Sequence, residues 1–387
     1  MPVNKRKSAP VSPGRGAVIV SCDMITAYGH GLHACWDGIM SGRSAIMKCD
    51  RFHTGAFPSD SAALVAGMNY LGRDSLVMQM LRRLFSDTSQ SIPLDAKLIL
   101  ATTKGEIDLL EKNLLRGTGD VSECNLNNLL KKVSSLTGVR DKGMVVSAAC
   151  ASATAAVARA ASMVRSGVSD CVLVVACDSV TEFVYSGFSS LMALDKMHAR
   201  PFDKNRNGLS LGEAAAFVLI MSRSRAKKEK RTIAGEVKGW GLSDDANHMT
   251  GPSRTGAGLT LAIKKALDTA SIGNAEISFI SAHGTGTLYN DAMELKSFNA
   301  VFGGRKKPLY SVKGGVGHTM GAAGLVEIII ALKALREKII PRTVNLQTPD
   351  DDARGWASRR QRKAEVKKGA LLTSAGFSGI NAALVLG

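Results

Sequence analysis

Aromatic residues and long apolar segments are both scarce in this chain of 387 residues. Phenylalanine, tryptophan and tyrosine together make up only 5% of it. Because no apolar run reaches the ~18 residues that a membrane-spanning helix needs, the sequence predicts no transmembrane segment. The basic residues near the N-terminus are not followed by an apolar core, which argues against a secretory signal. We expect residues 1–15 to form a disordered basic tail.

The cysteines lack the spacing of a metal site or of a disulfide framework. The chain contains seven of them, an odd number, and no two are separated by two residues. A zinc site and a set of structural disulfides are therefore both disfavoured, and no metal is expected. Scattered free thiols are typical of a reducing compartment, so the sequence predicts a cytoplasmic protein.

Acidic residues are outnumbered by basic ones, 33 against 50, which gives a net charge of +17. The excess is concentrated in residues 223–231, 305–307 and 359–368. Nucleic acid is the usual partner of so basic a chain, but the sequence has no nucleic-acid-binding motif and few aromatic residues to stack on bases, so none is expected. Two interpretations of the basic runs remain open: a solvated surface, or a field that steers an acidic protein partner.

Apolar segments alternate with amphipathic ones, which predicts a largely parallel α/β sheet. The predicted strands cover residues 17–21, 97–102, 171–177, 214–221, 233–241, 278–282, 371–374 and 382–386. The predicted helices cover residues 33–40, 75–84, 108–115, 126–136, 150–166, 258–270 and 321–335. In outline, residues 226–387 repeat the pattern of residues 16–225. Residues 178–215 are expected to be irregular, and loops of that length are usually functional.

Cys150 lies where a strand-like segment changes into a helix. Val145 and Val146 are followed by very small residues, and the helix-forming sequence from Cys150 onward ends at Gly167, a suitable C-terminal cap. A cysteine in the first turn would have its sulfur near unsatisfied N–H groups and the positive end of the helix dipole, and both favour the thiolate. The same sequence also suits a small buried cysteine in a tightly packed helix.

Three loop segments in the second half carry polar groups that an ordinary core does not need. They are residues 283–287, which begin with His283; residues 311–324, which contain Lys313 and His318; and residues 374–382. Each follows an apolar segment, and α/β sheets place their functional sites at the carboxyl ends of strands. Two histidines at such positions, together with a cysteine at a helix start, indicate catalysis.

In this order the motifs resemble those of the β-ketoacyl-acyl-carrier-protein synthases of the elongating type. Ala149-Cys150 matches the nucleophile motif, and the segments 283–287 and 313–318 match the two histidine motifs. Residues 200–213 and 244–249 match two further signatures, and the resemblance runs from about residue 15 to the end. It implies the thiolase fold, in which two similar halves each contain a mixed, mostly parallel sheet and the layers alternate α-β-α-β-α.

The resemblance implies a decarboxylative Claisen condensation that extends a fatty-acid, polyene or polyketide chain by two carbons. Cys150 would carry the acyl chain as a thioester. Neutral His283 and His318 would stabilise the oxyanion that forms when the malonyl group loses carbon dioxide. The backbone N–H groups of Cys150 and Phe377 would form a second oxyanion hole. Lys313 would pair with Glu294 and order the site.

The resemblance also assigns the substrate-binding residues and the partners. Thr285 and Thr287 would hydrogen-bond the pantetheine arm, while Phe188 and Phe377 would gate the acyl pocket. No cofactor of the enzyme is implied, because the substrates arrive on the phosphopantetheine of an acidic acyl carrier protein. The assembly would be a homodimer, or a heterodimer with a second ketosynthase-like subunit.

Three residues depart from the usual family pattern. Ala375, Ser378 and Ile380 stand where the family usually has an aromatic residue, a glycine, and a threonine or serine. These departures favour a specialised pathway, such as polyene or polyketide assembly, over housekeeping fatty-acid synthesis.

Two other functions remain as alternatives. The first is a non-condensing subunit that sets the chain length of a paired ketosynthase, but partners of that kind lack the cysteine that stands here at position 150. The second is a thiolase or an acyl-CoA starter synthase. The sequences of such enzymes show a pattern with a single catalytic histidine, and the pair of His283 and His318 argues against them.

Overall fold

The computed structural model describes residues 15–86, 92–118, 120–365 and 367–387, so most of the predicted N-terminal tail lies outside the described residues. The strands are β1 (Ala17–Thr26), β2 (Gly29–His30), β3 (Met47–Lys48), β4 (Ser61–Ala63), β5 (Lys97–Ala101), β6 (Met144–Val146), β7 (Cys171–Asp178), β8 (Leu211–Gly212), β9 (Ala214–Ser222), β10 (Gly235–Asp244), β11 (Ile277–Ser281), β12 (Leu309–Tyr310), β13 (Ile339–Ile340), β14 (Arg362–Lys363), β15 (Gly369–Ala375) and β16 (Ile380–Leu386). The helices are α1 (Leu32–Ser41), α2 (Leu76–Ser86), α3 (Ile107–Arg116), α4 (Leu126–Thr137), α5 (Ser152–Ser166), α6 (Glu182–Ser190), α7 (Arg223–Lys228), α8 (Ala257–Ala270), α9 (Leu288–Phe302), α10 (Lys313–Val316) and α11 (Ala323–Glu337). In this part of the chain no helix is both long and apolar enough to cross a bilayer.

The main sheet has the same strand order in its two halves. In the first half β6, β5 and β7 are parallel, and β9 and then β1 follow, each antiparallel to its neighbour. In the second half β12, β11 and β15 are parallel, and β16 and then β10 follow in the same way. β1 pairs with β10 and joins the halves. The predicted duplication is confirmed, and the sheet is mixed, with its parallel pairs confined to the three outer strands of each half.

Some of the antiparallel pairing follows from the lengths of the connections. β15 and β16 are joined through only four residues, 376–379, and so short a connection can only form a hairpin. The parallel strands β5 and β7 are instead separated by 69 residues that contain α3, α4, β6 and α5.

The helices form three layers around the two halves of the sheet. Along β7, Leu173 and Val175 pack in the same cluster as α2 and α4, whereas Val172 and Val174 pack with α5 and α11. This alternation is the period of two that a strand buried on both faces requires. α8 and α9 pack on the outer face of the second half. The predicted α-β-α-β-α order of layers is confirmed.

Four of the described helices, α6, α7, α9 and α10, were absent from the sequence-based prediction. Residues 178–215 were expected to be irregular, but nine of them form α6. Its N-terminus is capped by Thr181, whose hydroxyl accepts the N–H of Val184, and its buried face carries Val184, Tyr185 and Phe188. The prediction was wrong here because one glycine and three serines, all poor helix formers, dilute the apolar pattern of a short helix.

The fold brings the sequence motifs of both halves to one end of the sheet. β7 ends at Asp178, β11 ends two residues before His283, and β15 ends at Ala375. The two central helices come unusually close there: a Cβ atom on Gly324 would lie 2.2 Å from Thr154 Oγ1. Glycine is therefore required where α11 crosses α5, and this contact places the His318 loop beside the turn that carries Cys150.

Candidate active site

A cavity of about 660 Å³ opens where these loops meet. The predicted site residues in its wall are Cys150, Phe188, His283, Thr285, Thr287, His318 and Phe377. The reactive groups are well shielded, since Cys150 is 6% exposed and the two histidines are 2% exposed or less. Side chains that are more than 130 residues apart in sequence thus converge on one largely buried site.

Cys150 occupies a strained turn just before α5. The preceding Ala149 has a φ of 47°, a left-handed conformation that costs an alanine of order 1–3 kcal/mol and that typically marks functional sites. Ser152 secures the turn, because its hydroxyl donates to the Ala149 carbonyl at 2.6 Å and accepts the Ala148 N–H at 2.8 Å. The nucleophile is therefore held in a fixed position at the cavity wall.

The thiol environment differs from the sequence-based expectation. Burial raises the pKa of Cys150, while the positive charges of Lys104 and Lys313 lower it only in part. The helix begins two residues after the cysteine, and the N–H groups of Ala151 and Ser152 already bond to carbonyl oxygens within the turn. The helix start therefore does not by itself produce a thiolate. The sulfur instead accepts a hydrogen bond from the backbone N–H of Phe377.

His318 is held as a neutral imidazole that can donate from Nε2. Burial lowers its pKa well below the usual range, and the charges of Lys313 and Lys104 lower it further. Its Nδ1 accepts the backbone N–H of Met320 at 3.1 Å, so the proton of the neutral ring must be on Nε2. The backbone N–H of His318 donates to the Ser210 carbonyl at 2.7 Å, which fixes the backbone beneath the ring.

His283 reaches the same state through a different partner. Its Nδ1 lies 3.1 Å from Lys313 Nζ, and an ammonium group can only donate, so the proton of His283 is also on Nε2. Burial and the Lys313 charge lower the pKa of His283. The two imidazole rings lie edge to face with their centroids 5.3 Å apart. One cavity therefore contains two neutral imidazole N–H donors.

The predicted partner of Lys313 was wrong. Its Nζ forms a buried ion pair with Glu327 of α11 and also donates to the His283 carbonyl. Burial raises the pKa of Glu327 to about 7, although the Lys313 charge opposes the rise. The helical register of α11 places Glu327 next to Lys313, and no local sequence pattern reveals this pairing.

Glu294 has a supporting role, but a different one from that predicted. Its carboxylate accepts the backbone N–H groups of His283 at 2.8 Å and Gly284 at 2.7 Å, and the hydroxyl of Thr373 at 2.9 Å. Burial raises the pKa of Glu294 to about 7, and the neighbouring Asp291 raises it as well. Glu294 thus fixes the backbone of the His283 loop.

Two domain models of one family match this chain in sequence order. The β-ketoacyl synthase N-terminal domain matches residues 101–226, and the β-ketoacyl synthase C-terminal domain matches residues 234–347. Together they span more than half of the chain and contain Cys150, His283 and His318. The chain belongs to the β-ketoacyl synthase family.

Full-length relatives and a solved structure agree with this assignment. The chain is 28% identical to 3-oxoacyl-(acyl-carrier-protein) synthase 2 of Vibrio cholerae, over 96% of this chain and 98% of that protein. It is 29% identical to the protein of the same name from Synechocystis, over 95% and 96% of the two chains. The structure of the ishigamide ketosynthase/chain length factor superposes with a TM-score of 0.88 at 29% identity, covering 96% of this chain and 99% of that one.

The two aromatic residues that the resemblance assigns to a gate, Phe188 and Phe377, contact each other. The rings of Phe188 and Phe377 have centroids 5.7 Å apart, and both form part of the cavity wall. Ser378 follows with a φ of 66°, the left-handed conformation that explains why a glycine is usual at this position. The backbone N–H of Ser378 donates to the Met249 carbonyl at 2.6 Å, which connects the Phe377 loop to residues 244–249.

Thr285 and Thr287 both line the cavity. Their hydroxyl oxygens are 2.9 Å apart. The exposed side chains of Leu288 and Tyr289 follow directly and form part of the rim. The threonine pair therefore shares the cavity wall with the buried histidines and adjoins exposed residues of the rim.

Sequence reasoning missed Lys104, the second lysine beside the site. Lys104 lies at the carboxyl end of β5, with Nζ 5.8 Å from the centre of the Phe188 ring and 3.6 Å from Met320 Sδ. The Lys313 charge is opposed by Glu327, whereas among the described residues no carboxylate forms an ion pair with Lys104. Its position two residues after the predicted strand 97–102 could have identified it, because functional residues are common at the carboxyl ends of parallel strands.

We predict that Lys104→Met makes Cys150 harder to ionise. Because the Lys104 charge lowers the thiol pKa, its removal should raise that pKa and slow iodoacetamide labelling of Cys150 near neutral pH, about tenfold for every pH unit by which the thiol pKa rises. The measurement is the pH profile of labelling, followed by peptide mapping. Lys104→Arg keeps the charge and should keep the profile near that of the wild type. Identical profiles for Lys104→Met and the wild type would exclude this electrostatic role.

Proposed function

We propose that this chain is a catalytically complete, elongating ketosynthase. It accepts an acyl chain from an acyl carrier protein onto Cys150 and condenses it with a malonyl group carried by a second carrier protein. The product is a β-ketoacyl thioester longer by two carbons. The observation that carries the proposal is the presence of one cysteine and two neutral imidazole donors in a single cavity.

The first half-reaction transfers the acyl chain to Cys150. The thiolate attacks the carbonyl carbon of the acyl thioester, and the resulting oxyanion accepts the backbone N–H groups of Cys150 and Phe377. The C–S bond to pantetheine then breaks, and the carrier thiolate leaves and takes up a proton. Because burial favours the neutral thiol, the positive charge of Lys104 helps to populate the reactive anion.

The second half-reaction needs the two histidines. When the malonyl thioester loses carbon dioxide, negative charge develops on its thioester oxygen, and Nε2–H of both His283 and His318 can donate to it. The enolate carbon attacks the acyl carbonyl on Cys150, and collapse of the tetrahedral intermediate returns the thiolate. A neutral imidazole suits this role, since it stabilises the enolate without protonating it, and burial keeps both rings neutral.

Loading of Cys150 tests the first half-reaction directly. Incubation with an acyl carrier protein thioester should add the mass of one acyl group to the chain, and peptide mapping should locate it at Cys150. Cys150→Ala should abolish the adduct. Cys124→Ser is the matched control, because Cys124 is a partly exposed free thiol away from the cavity, and it should load normally. An acyl group found on another residue would refute the assigned nucleophile.

The same variant separates a condensing enzyme from a non-condensing chain-length subunit. A condensing enzyme requires its own cysteine, so Cys150→Ala should abolish β-ketoacyl product with or without a partner subunit. If a heterodimer that contains Cys150→Ala still condensed at the wild-type rate, the chain would be the non-condensing partner.

The setting and assembly of the enzyme are part of the same proposal. Its acyl chain belongs to a polyene or polyketide pathway, which the departures at Ala375, Ser378 and Ile380 favour. It works in the cytoplasm, as its seven free cysteines suggest. It forms a homodimer or pairs with a second ketosynthase-like subunit, and the edge strand β6, which pairs with β5 on one side, is the surface offered for that contact. Light scattering on the purified chain tests the homodimer.

A further inference from the structure

The three basic runs lie at the end of the sheet opposite the active site. The first run forms α7, directly after β9, and Met221 of β9 pairs with Cys171, the first residue of β7. The third run leads into β15, whose first residue Gly369 pairs with the first residue of β11. The second run precedes β12. The loops that contain His283, His318 and Phe377 follow the opposite ends of β11, β12 and β15.

Direct contacts connect the basic segments into one surface. Arg223 pairs with Glu236 of β10, and Lys238 of the same strand donates to the Lys368 carbonyl. Lys368 in turn pairs with Glu276. Burial lowers the pKa of Lys307, and the neighbouring positive charge of Lys367 lowers it further, which indicates that the second and third runs crowd together.

The three runs carry most of the net charge of the chain, and Asp95, Glu236 and Glu276 beside them offset part of it. The three runs contain fifteen basic and two acidic residues, a balance of +13 out of the total of +17. Lys227, Lys228 and Lys230 are exposed, and within the described residues none of them forms an ion pair. So large and concentrated a charge produces a strong local field, beyond what solubility requires.

An acyl carrier protein bound to this surface could not serve the active site. β7 is eight residues long, so at about 3.3 Å per residue its two ends lie about 25 Å apart. The rim of the cavity, with Met192, Arg254 and Tyr289, is at the far end. A carrier protein attracted by this charge would therefore have to dock elsewhere, which leaves the surface free to bind another anionic partner.

Exposed apolar side chains lie at the same end of the sheet as the cations. Leu94 is 49% exposed and adjoins Asp95, which pairs with Arg225 of α7. Val168 is 64% exposed, and the guanidinium of Arg15 lies close to the preceding residue, Gly167. Ile233 is 40% exposed and follows the first basic run with one residue between them. Cations interspersed with apolar side chains suit a lipid headgroup region, whereas base stacking requires aromatic residues that the three runs lack.

We infer that this surface, residues 223–231, 305–307, 359–365, 367 and 368 with Leu94, Val168 and Ile233, binds the anionic phospholipid headgroups of a bilayer. We call it the basic face. In this orientation the cavity mouth points away from the membrane and stays open to soluble carrier proteins. The enzyme would thus work at a membrane surface without inserting a helix into it.

Vesicle co-sedimentation of the full chain tests the inference. The protein should bind vesicles of mixed phosphatidylcholine and phosphatidylglycerol, should bind pure phosphatidylcholine weakly, and should dissociate as salt is raised. Each lysine near an anionic surface contributes about fivefold in affinity, the equivalent of about 1 kcal/mol. The triple variant Lys227→Gln, Lys228→Gln, Lys230→Gln should therefore bind roughly 100-fold more weakly. Its acyl loading of Cys150 should be unchanged, which verifies that it folds.

The matched control neutralises three exposed lysines elsewhere, Lys48→Gln, Lys131→Gln and Lys196→Gln, and should bind vesicles nearly as well as the wild type. Equal binding by the two triple variants would overturn the assignment to the basic face. Absence of binding to anionic vesicles would overturn the membrane partner. Binding to a DNA duplex but not to vesicles would assign the face to nucleic acid instead. None of these results depends on condensation activity, so they are separate from tests of the proposed reaction.

Discussion

Replacing His318 with alanine is expected to separate the two half-reactions. The variant should still load an acyl group onto Cys150, because that step uses the thiolate and backbone N–H groups. Condensation should fall by about 10²–10³, the usual effect of removing one donor to an oxyanion in a preorganised site. Intact mass measures the loading, and release of carbon dioxide from the malonyl carrier protein measures the second step.

His318→Gln and His198→Ala are the informative controls for this experiment. Glutamine restores a side-chain N–H donor and should recover part of the lost rate. His198 is an exposed histidine outside the cavity wall, so its removal should leave both steps intact. If His318→Ala slowed loading and condensation equally, or merely lowered the unfolding midpoint, His318 would be a packing residue and not the assigned donor.

The second large effect concerns the buried ion pair of Lys313 and Glu327. Lys313→Met leaves the Glu327 carboxyl at 0% exposure without its cation, and such losses typically cost about 3–5 kcal/mol of stability. The double variant Lys313→Met, Glu327→Gln removes both charges and should regain much of this loss. Urea unfolding midpoints of the wild type, both single variants and the double variant measure the coupling.

The stability loss in Lys313→Met should also depend on pH. The pKa of Glu327 is about 7 in the folded protein, above its ordinary value, so its contribution to stability is full below about pH 4.5 and is lost as pH rises through 7. Without Lys313 the folded pKa rises further, and the deficit relative to the wild type should grow between pH 6 and pH 8.5. Glu327→Gln removes this dependence. A deficit that is constant over this pH range would contradict the proposed pairing.

Sequence reasoning located the residues that are fixed by local motifs. Cys150, His283 and His318 each follow a strand of the duplicated sheet, and strand ends can be recognised from hydrophobic pattern and turn residues. The same pattern indicated the two halves, because strands buried on both faces appear as continuous apolar runs. The order of the layers came from the resemblance to the family. These features depend on segments of ten or twenty residues.

The features that escaped prediction depend on contacts between distant segments. Lys313 could have paired with either Glu294 or Glu327, and it is the packing of α11 that places Glu327 beside it. Lys104 has no motif of its own and gains significance only because β5 lies beside the Cys150 turn. The thiol pKa depends on burial, which outweighs the helix-start effect.

The most direct test of the account is a single turnover of the pre-loaded enzyme. The chain, acylated on Cys150 and freed of excess acyl donor, is mixed with malonyl carrier protein. We expect the acyl mass to leave Cys150, carbon dioxide to appear and the β-ketoacyl carrier protein to form, all at one rate and in equal amounts. Persistence of the acyl-enzyme without carbon dioxide release, in a preparation that contains any subunit found to co-purify with the chain, would contradict the claim that it is a condensing enzyme.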